Sequence, residues 1–208
     1  MTTSELLRGD LLLIADLVPP GSRVLDLGCG DGALLVYLRD VHGCTVRGVE
    51  LAAESVAACV ARGLAVVQAN LDDGLADFPD GAFDVVILSQ TLQVVRRPAL
   101  VVREMLRVGR HGIISFPNFA HWRVRAYLAF RGRMPVSRTI PYTWHETPNI
   151  HHTTLLDFRE FCRANSVEIA QEITLRARGS RNTRRVRVLR NLLSETVVSV
   201  VESARTLL

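Results

Sequence analysis

A chain of 208 residues with 48% hydrophobic content is long enough for one folded domain, too short for two of ordinary size, and unlike a disordered segment. Its net charge of +4 rests on 25 basic residues, every one of them Arg, and so mild a positive field does not compel a polyanionic partner. Cys29, Cys44, Cys59 and Cys162 show no CxxC spacing and no apolar run nears the roughly 20 residues of a membrane span, so a zinc ribbon, a disulfide scaffold and a transmembrane protein are set aside for a soluble cytoplasmic one.

Leu6, Leu7, Leu11, Ile14 and Leu17 recur at helical spacing, and Pro19-Pro20 stop that helix. Arg23 to Leu27 reads as a strand, followed by a Gly-rich turn and a helix over Ala33 to Asp40. Thr45 to Glu50 and Ala65 to Gln68 read as the second and third strands, with a helix over Ala53 to Arg62 between them. Phe83 to Leu88 is a buried fourth strand, Pro98 opens a helix through Arg107, and Gly112 to Phe116 is a fifth strand. Short β-branched runs alternating with helices predict a parallel sheet covered on both faces, an α/β Rossmann-like fold. From 117 to 152 four of the eight prolines break the pattern into short helices and loops, an insertion or lid within the single domain. A helix from Thr154 to Ala164, capped by Thr153 or Thr154, comes next. Val167 to Leu175 and Arg184 to Leu189 then read as antiparallel strands, and a closing helix is expected after Asn191.

The sharpest motif is VLDLGCGDG at 24–32, a strand running into three alternate glycines and then a helix. Such glycines turn the backbone tightly beneath a ligand at a helix N-terminus. Glu50 ends the second strand 22 positions after Gly28, where a carboxylate accepts two hydrogen bonds from a ribose diol. The spacing is GxGxG rather than the GxGxxG of dinucleotide sites, and Asp26 and Asp31 flank it. Acidic groups repel a pyrophosphate and attract an α-amino group or a sulfonium, so S-adenosylmethionine fits better than NAD. By topology Asn70 and Leu71, after the third strand, are expected at the adenine, and Ser89-Gln90-Thr91, after the fourth, at the methionine moiety.

Taken with RGVE (47–50), FPDGAFDVVILSQTLQ (78–93), EMLRVGR (104–110), ISFPNFAHWRVR (114–125), GRMPV (132–136) and TPNIHHTT (147–154), the chain resembles class I S-adenosylmethionine-dependent methyltransferases, and more narrowly the methionine-biosynthesis MetW family. The likeness runs from Leu7 to Glu168. It implies a seven-stranded sheet, six strands parallel and one reversed. It also implies S-adenosylmethionine or S-adenosylhomocysteine held by Asp26, Gly28, Cys29, Gly30, Glu50, Leu51, Asn70, Leu71 and Gln90. Proteins of this family are associated with homoserine O-acyltransferase as a required partner, without an established methyl acceptor. The chain departs from the family pattern at Ala52 and Asn70, where acidic residues are usual, and both changes remove charge near the adenosine.

Catalytic residues are not assigned by the sequence. His121, Tyr142, His145, Glu146, His151 and His152 are the candidate bases, and none falls into a triad spacing. The adjacent pair His151-His152 points two ways and makes a poor metal site, so no metal is expected. Phe116-Pro117-Asn118-Phe119 follows the fifth strand, not the fourth, which sets it apart from the tetrapeptides of nucleic-acid amine methyltransferases. Seven Arg between Arg176 and Arg190 alternate in part with Val186 and Val188, as on a solvated strand face, so nucleic-acid binding is not the expected role. The insertion instead combines both tryptophans with Phe and Arg residues, the composition of an interface core or of a lid over the pocket.

Overall fold

The computed structural model describes residues 8–137, 140–177 and 183–204. Leu6 and Leu7 of the opening helix, and Arg178 and Arg181 of the basic run, lie outside the described residues. In chain order the elements begin α1 (Gly9–Leu17), β1 (Arg23–Leu27), α2 (Ala33–His42), β2 (Thr45–Glu50), α3 (Ala53–Ala61), β3 (Ala65–Gln68) and β4 (Phe83–Ser89). They continue α4 (Pro98–Val108), β5 (Gly109–Pro117), α5 (Trp122–Arg131), α6 (Leu155–Ala164), β6 (Val167–Ala177), β7 (Thr183–Arg185), α7 (Arg190–Leu193) and β8 (Thr196–Ser203). Thr154 caps α6 with a full capping box, its hydroxyl accepting from the Asp157 N–H while the Asp157 carboxylate accepts from the Thr154 N–H.

The strands form one sheet in the order β3-β2-β1-β4-β5-β8-β6-β7. β1 to β5 are mutually parallel, β8 runs against β5 and β6, and β7 runs against β6. Six strands therefore point one way and two the other, which corrects the expected seven-stranded sheet with one reversal. The correction comes from the C-terminal segment. After the single turn of α7, TVVSVVES is a strand rather than a closing helix. Its valines face both ways, Val197 and Val201 into one core layer and Val198 into the other. β-branched residues without a 3.6-residue period suit a central strand buried on both faces. The expected strand from Arg184 to Leu189 is a ladder over Thr183–Arg185, continued by the Val186 N–H donating to the Thr174 carbonyl at 2.7 Å. Beyond it Val188 and Leu189 are 70% and 68% exposed, Leu189 with a left-handed φ of 45° that a strand does not adopt.

Two apolar layers hold the sheet. On one face α1 and α2 pack Ile14, Leu34 and Leu38 against Val24, Ile87 and Val198. On the other, α4 and α6 pack Met105, Val102 and Phe158 against Leu25, Val86 and Phe116. Burial on both faces is why β1, β4 and β5 read as near-continuous apolar runs. The chain crosses from β1 outward to β2 and β3, then returns to β4 on the far side of β1. That reversal opens a crevice beyond the carboxyl ends of β1 and β4, the place where open α/β sheets take ligands.

Candidate functional site

The loop from Gly28 to Gly32 floors this crevice, and Gly28, Gly30 and Gly32 all have positive φ. A Cβ on Gly28 would sit 2.6 Å from Thr91 Oγ1, so the loop after β4 closes directly on the loop after β1. A Cβ on Gly30 would meet nothing within 4 Å, so here the backbone faces open space with only its conformation requiring glycine.

Most of the amides around this loop are already engaged. Gly28 and Cys29 donate to the Val49 carbonyl at 2.8 and 3.2 Å. Gly30 donates to Glu50 Oε2 at 2.9 Å. Ala33, at the start of α2, donates to Asp31 Oδ1 at 3.2 Å. A pyrophosphate would find none of these four N–H groups free, and the nearest charges are carboxylates, so the site does not fit a dinucleotide phosphate.

What the loop does present is negative. Glu50, at the end of β2, also accepts from Leu51 and Ala52 N–H at 2.8 and 2.9 Å through Oε1. Three backbone donors fix its carboxylate at the rim and leave about one of its four lone-pair sites open to a ribose hydroxyl. Asp26, next to last in β1, is 3% exposed, and its Oδ1 is buried without a hydrogen-bond partner. Burial first, and the field of Glu50 second, push its carboxyl up to about 7. An orphaned buried acceptor beside a second carboxylate is what a cationic, diol-bearing ligand would satisfy.

The other expected contacts are placed less uniformly. Leu51 is 62% exposed at the rim. Asn70 sits one residue beyond Ala69, whose N–H donates to the Glu50 carbonyl, and its Oδ1 caps the 3-10 turn Leu71–Asp73 at 3.0 Å. The Leu71 side chain is in the core at 8% exposure. Cys29 likewise faces the body, where a Cβ on Gly48 would sit 2.6 Å from its Sγ and Cys59 Sγ lies 3.9 Å away. Gln90 holds a left-handed φ of 54°, its N–H donating to the Ser115 carbonyl at 2.9 Å. Strain of this kind at a crevice edge aims a residue rather than stabilising the fold.

The six candidate bases are not brought together. His121 is buried, its Nε2 4.0 Å from Glu195 Oε1, and burial holds its pKa below the ordinary histidine range against the opposing pull of Glu195. His151 has a buried Nε2 without a partner. Tyr142, His145, Glu146 and His152 are exposed, with Glu146 accepting from the Thr143 hydroxyl at 2.7 Å and His152 lying edge-on to Phe119.

Two residues of the distinctive segments do structural work that spacing did not reveal. Asn118 Nδ2 donates to the Asn191 carbonyl, the Ser194 carbonyl and Ser194 Oγ at 2.9–3.1 Å, while its Oδ1 accepts from Ala120 and Leu155 N–H. It ties the end of β5 to α6 and α7, and only the Pro-Asn dipeptide hints at it. Asn118→Ala strands these buried partners, so stability to urea should fall by about 3 kcal/mol and Tm by about 10 °C. Gln93 is 4% exposed, and its carbonyl accepts from Ile150 and His151 N–H at 2.9 and 3.1 Å while its Nε2 donates to the Gln90 carbonyl at 2.8 Å. The end of the insertion is thereby fastened to the crevice.

Comparison with known proteins gives a consistent pattern. A family model described as methionine biosynthesis protein MetW matches residues 8–201. A Rhodopirellula baltica protein named bifunctional methionine biosynthesis protein MetXA/MetW is 42% identical over 169 residues, 77% of this chain and 27% of the relative. The match thus spans about a quarter of that protein's length. Among solved structures, an S-adenosylmethionine-dependent methyltransferase from Mesorhizobium loti superposes with a TM-score of 0.68 at 17% identity, covering 95% of this chain and 99% of that one. A magnesium protoporphyrin IX methyltransferase from Synechocystis, solved with bound S-adenosylhomocysteine, gives 0.61 at 18% identity, covering 92% and 79%. At such identities the likeness is one of fold, the Rossmann-like sheet of the methyltransferases. Among the described residues no helix is long and apolar enough to cross a membrane.

Proposed function

The chain belongs to the MetW family of methionine biosynthesis proteins, and from that premise we propose that it is a cytoplasmic accessory partner of homoserine O-acyltransferase, binding S-adenosylmethionine or S-adenosylhomocysteine in the crevice above β1 and β4. The observation that carries the ligand assignment is the pair Asp26 and Glu50 beside a loop most of whose amides are already engaged. Glu50 would accept a ribose hydroxyl, Asp26 would face the α-ammonium end, and Leu51 and Asn70 would flank the base. The ligand would supply an adenosine handle and, as S-adenosylmethionine, a sulfonium. The chain's residues recognise it by charge and shape.

The partner reading is supported by the R. baltica relative, whose name joins MetXA to MetW in one bifunctional chain. The test mixes the protein with the acyltransferase of the same organism and follows co-elution and acyl-transfer rate, with and without S-adenosylmethionine. Co-elution with a raised rate is expected. Separate elution and an unchanged rate would refute the partnership.

A second reading, methyl transfer to a small molecule, draws on buried His121 and on the unpartnered His151 Nε2. Transfer of label from methyl-labelled S-adenosylmethionine to a metabolite extract, lost in a His121→Ala variant, would favour it.

A further inference from the structure

We infer that α5 forms the face that docks on the acyltransferase, and that the partner meets it with an apolar pocket inside an acidic rim. This rests on the partner reading above and gives it a location.

α5 is a ten-residue helix with no buried residue. A helix of that length is marginal on propensity alone and ordinarily buries a stripe against a neighbour. Arg123, Tyr127, Phe130 and Arg131 fall at i, i+4, i+7 and i+8 and share one side of it. Phe130 is 87% exposed and Trp144, in the return segment, 76%. Large aromatics so bare, interleaved with arginines and without lysine, are the composition of an interface centre.

Charge selects the occupant. From Asn118 to Ser137 the chain holds four Arg and no Asp or Glu, although the whole chain has 21 acidic residues. A second copy docked isologously would set these arginines against each other. A partner with acidic groups around an apolar pocket would meet both features. The R. baltica relative's name joins MetXA and MetW in one bifunctional chain, which favours a protein over a nucleic acid or a membrane as the occupant.

The face is also fastened to the ligand crevice. Ile150 and His151 donate to the Gln93 carbonyl, Gln93 donates to the Gln90 carbonyl, and Phe119 N–H donates to the Thr153 carbonyl. Hydrogen bonds therefore run from the crevice edge to both ends of the insertion.

The experiment measures affinity of the full-length protein for the intact acyltransferase at low and high salt. The variants are Phe130→Asp, the pair Arg123→Glu with Arg131→Glu, and Val60→Asp on α3 as a control that is also exposed, at 59%. Phe130→Asp should weaken binding by about 30-fold or more, and the arginine pair should weaken binding and flatten its salt dependence. Val60→Asp should bind like wild type, and all variants should keep the wild-type melting temperature and affinity for S-adenosylhomocysteine. Unchanged binding by Phe130→Asp, or an equal loss in Val60→Asp, overturns the location while leaving the partnership standing. A wild-type dimer split by Phe130→Asp overturns it in favour of a second copy, and displacement of the acyltransferase by single-stranded RNA or anionic vesicles in favour of those ligands. Absence of any wild-type complex overturns both readings.

Discussion

Glu50→Gln should lower affinity for S-adenosylhomocysteine by about 100-fold or more, read by isothermal titration. The carboxylate is held by three backbone donors, Gly30 through Oε2 and Leu51 and Ala52 through Oε1. A glutamine keeps one acceptor oxygen and sets an N–H₂ against at least one of those N–H groups. It also gives up charge-assisted acceptance of a ribose hydroxyl, contributing about 1.5–3 kcal/mol. Because Glu50 also braces the Gly30 loop, a melting curve belongs beside the titration. A small change in Tm with a large loss of affinity locates the effect in ligand contact, whereas wild-type affinity would show that the diol is held elsewhere.

Much of this site was legible in the sequence because its signals are local. Three alternate glycines after a buried strand, and an acidic residue closing the next strand, specify a loop and a rim that no other packing alters. The bounds of β1, β2 and β3 follow from the same short β-branched runs. Leu71 is less readable, since its place after the third strand is shared by crevice and core, and its side chain joins the same buried cluster as Leu75 and Val95. The C-terminal strand escaped for a related reason. TVVSVVES has neither strict alternation nor a helical period, and only its insertion between β5 and β6 decides its state. Asn118 and Gln93 escaped because single buried amides carry no periodicity, and their partners lie up to 76 residues away.

Asp26→Asn should stabilise the ligand-free protein at alkaline pH and weaken ligand binding there, a trade that follows from the sign of the Asp26 shift. Its carboxyl is raised to about 7 in the fold, by burial and then by Glu50, whereas in the unfolded chain it titrates near the ordinary aspartate value of about 4. Between those values the folded protein holds a proton that the unfolded chain has lost. Stability is therefore full below about pH 4 and falls as pH rises through 7, by roughly 4 kcal/mol in all. Asparagine carries no charge and escapes that loss, so the variant's Tm should be nearly flat across the window in which the wild type declines. Ligand binding runs the opposite way. An α-ammonium favours the ionised carboxylate, so wild-type affinity should rise about tenfold from pH 6 to pH 8, and Asp26→Asn should remove that rise. The two slopes have opposite signs and one origin. A carboxylate that lowers stability in the ligand-free fold while strengthening binding is held for its ligand, and a variant that left either slope in place would remove Asp26 from the ammonium end of the site.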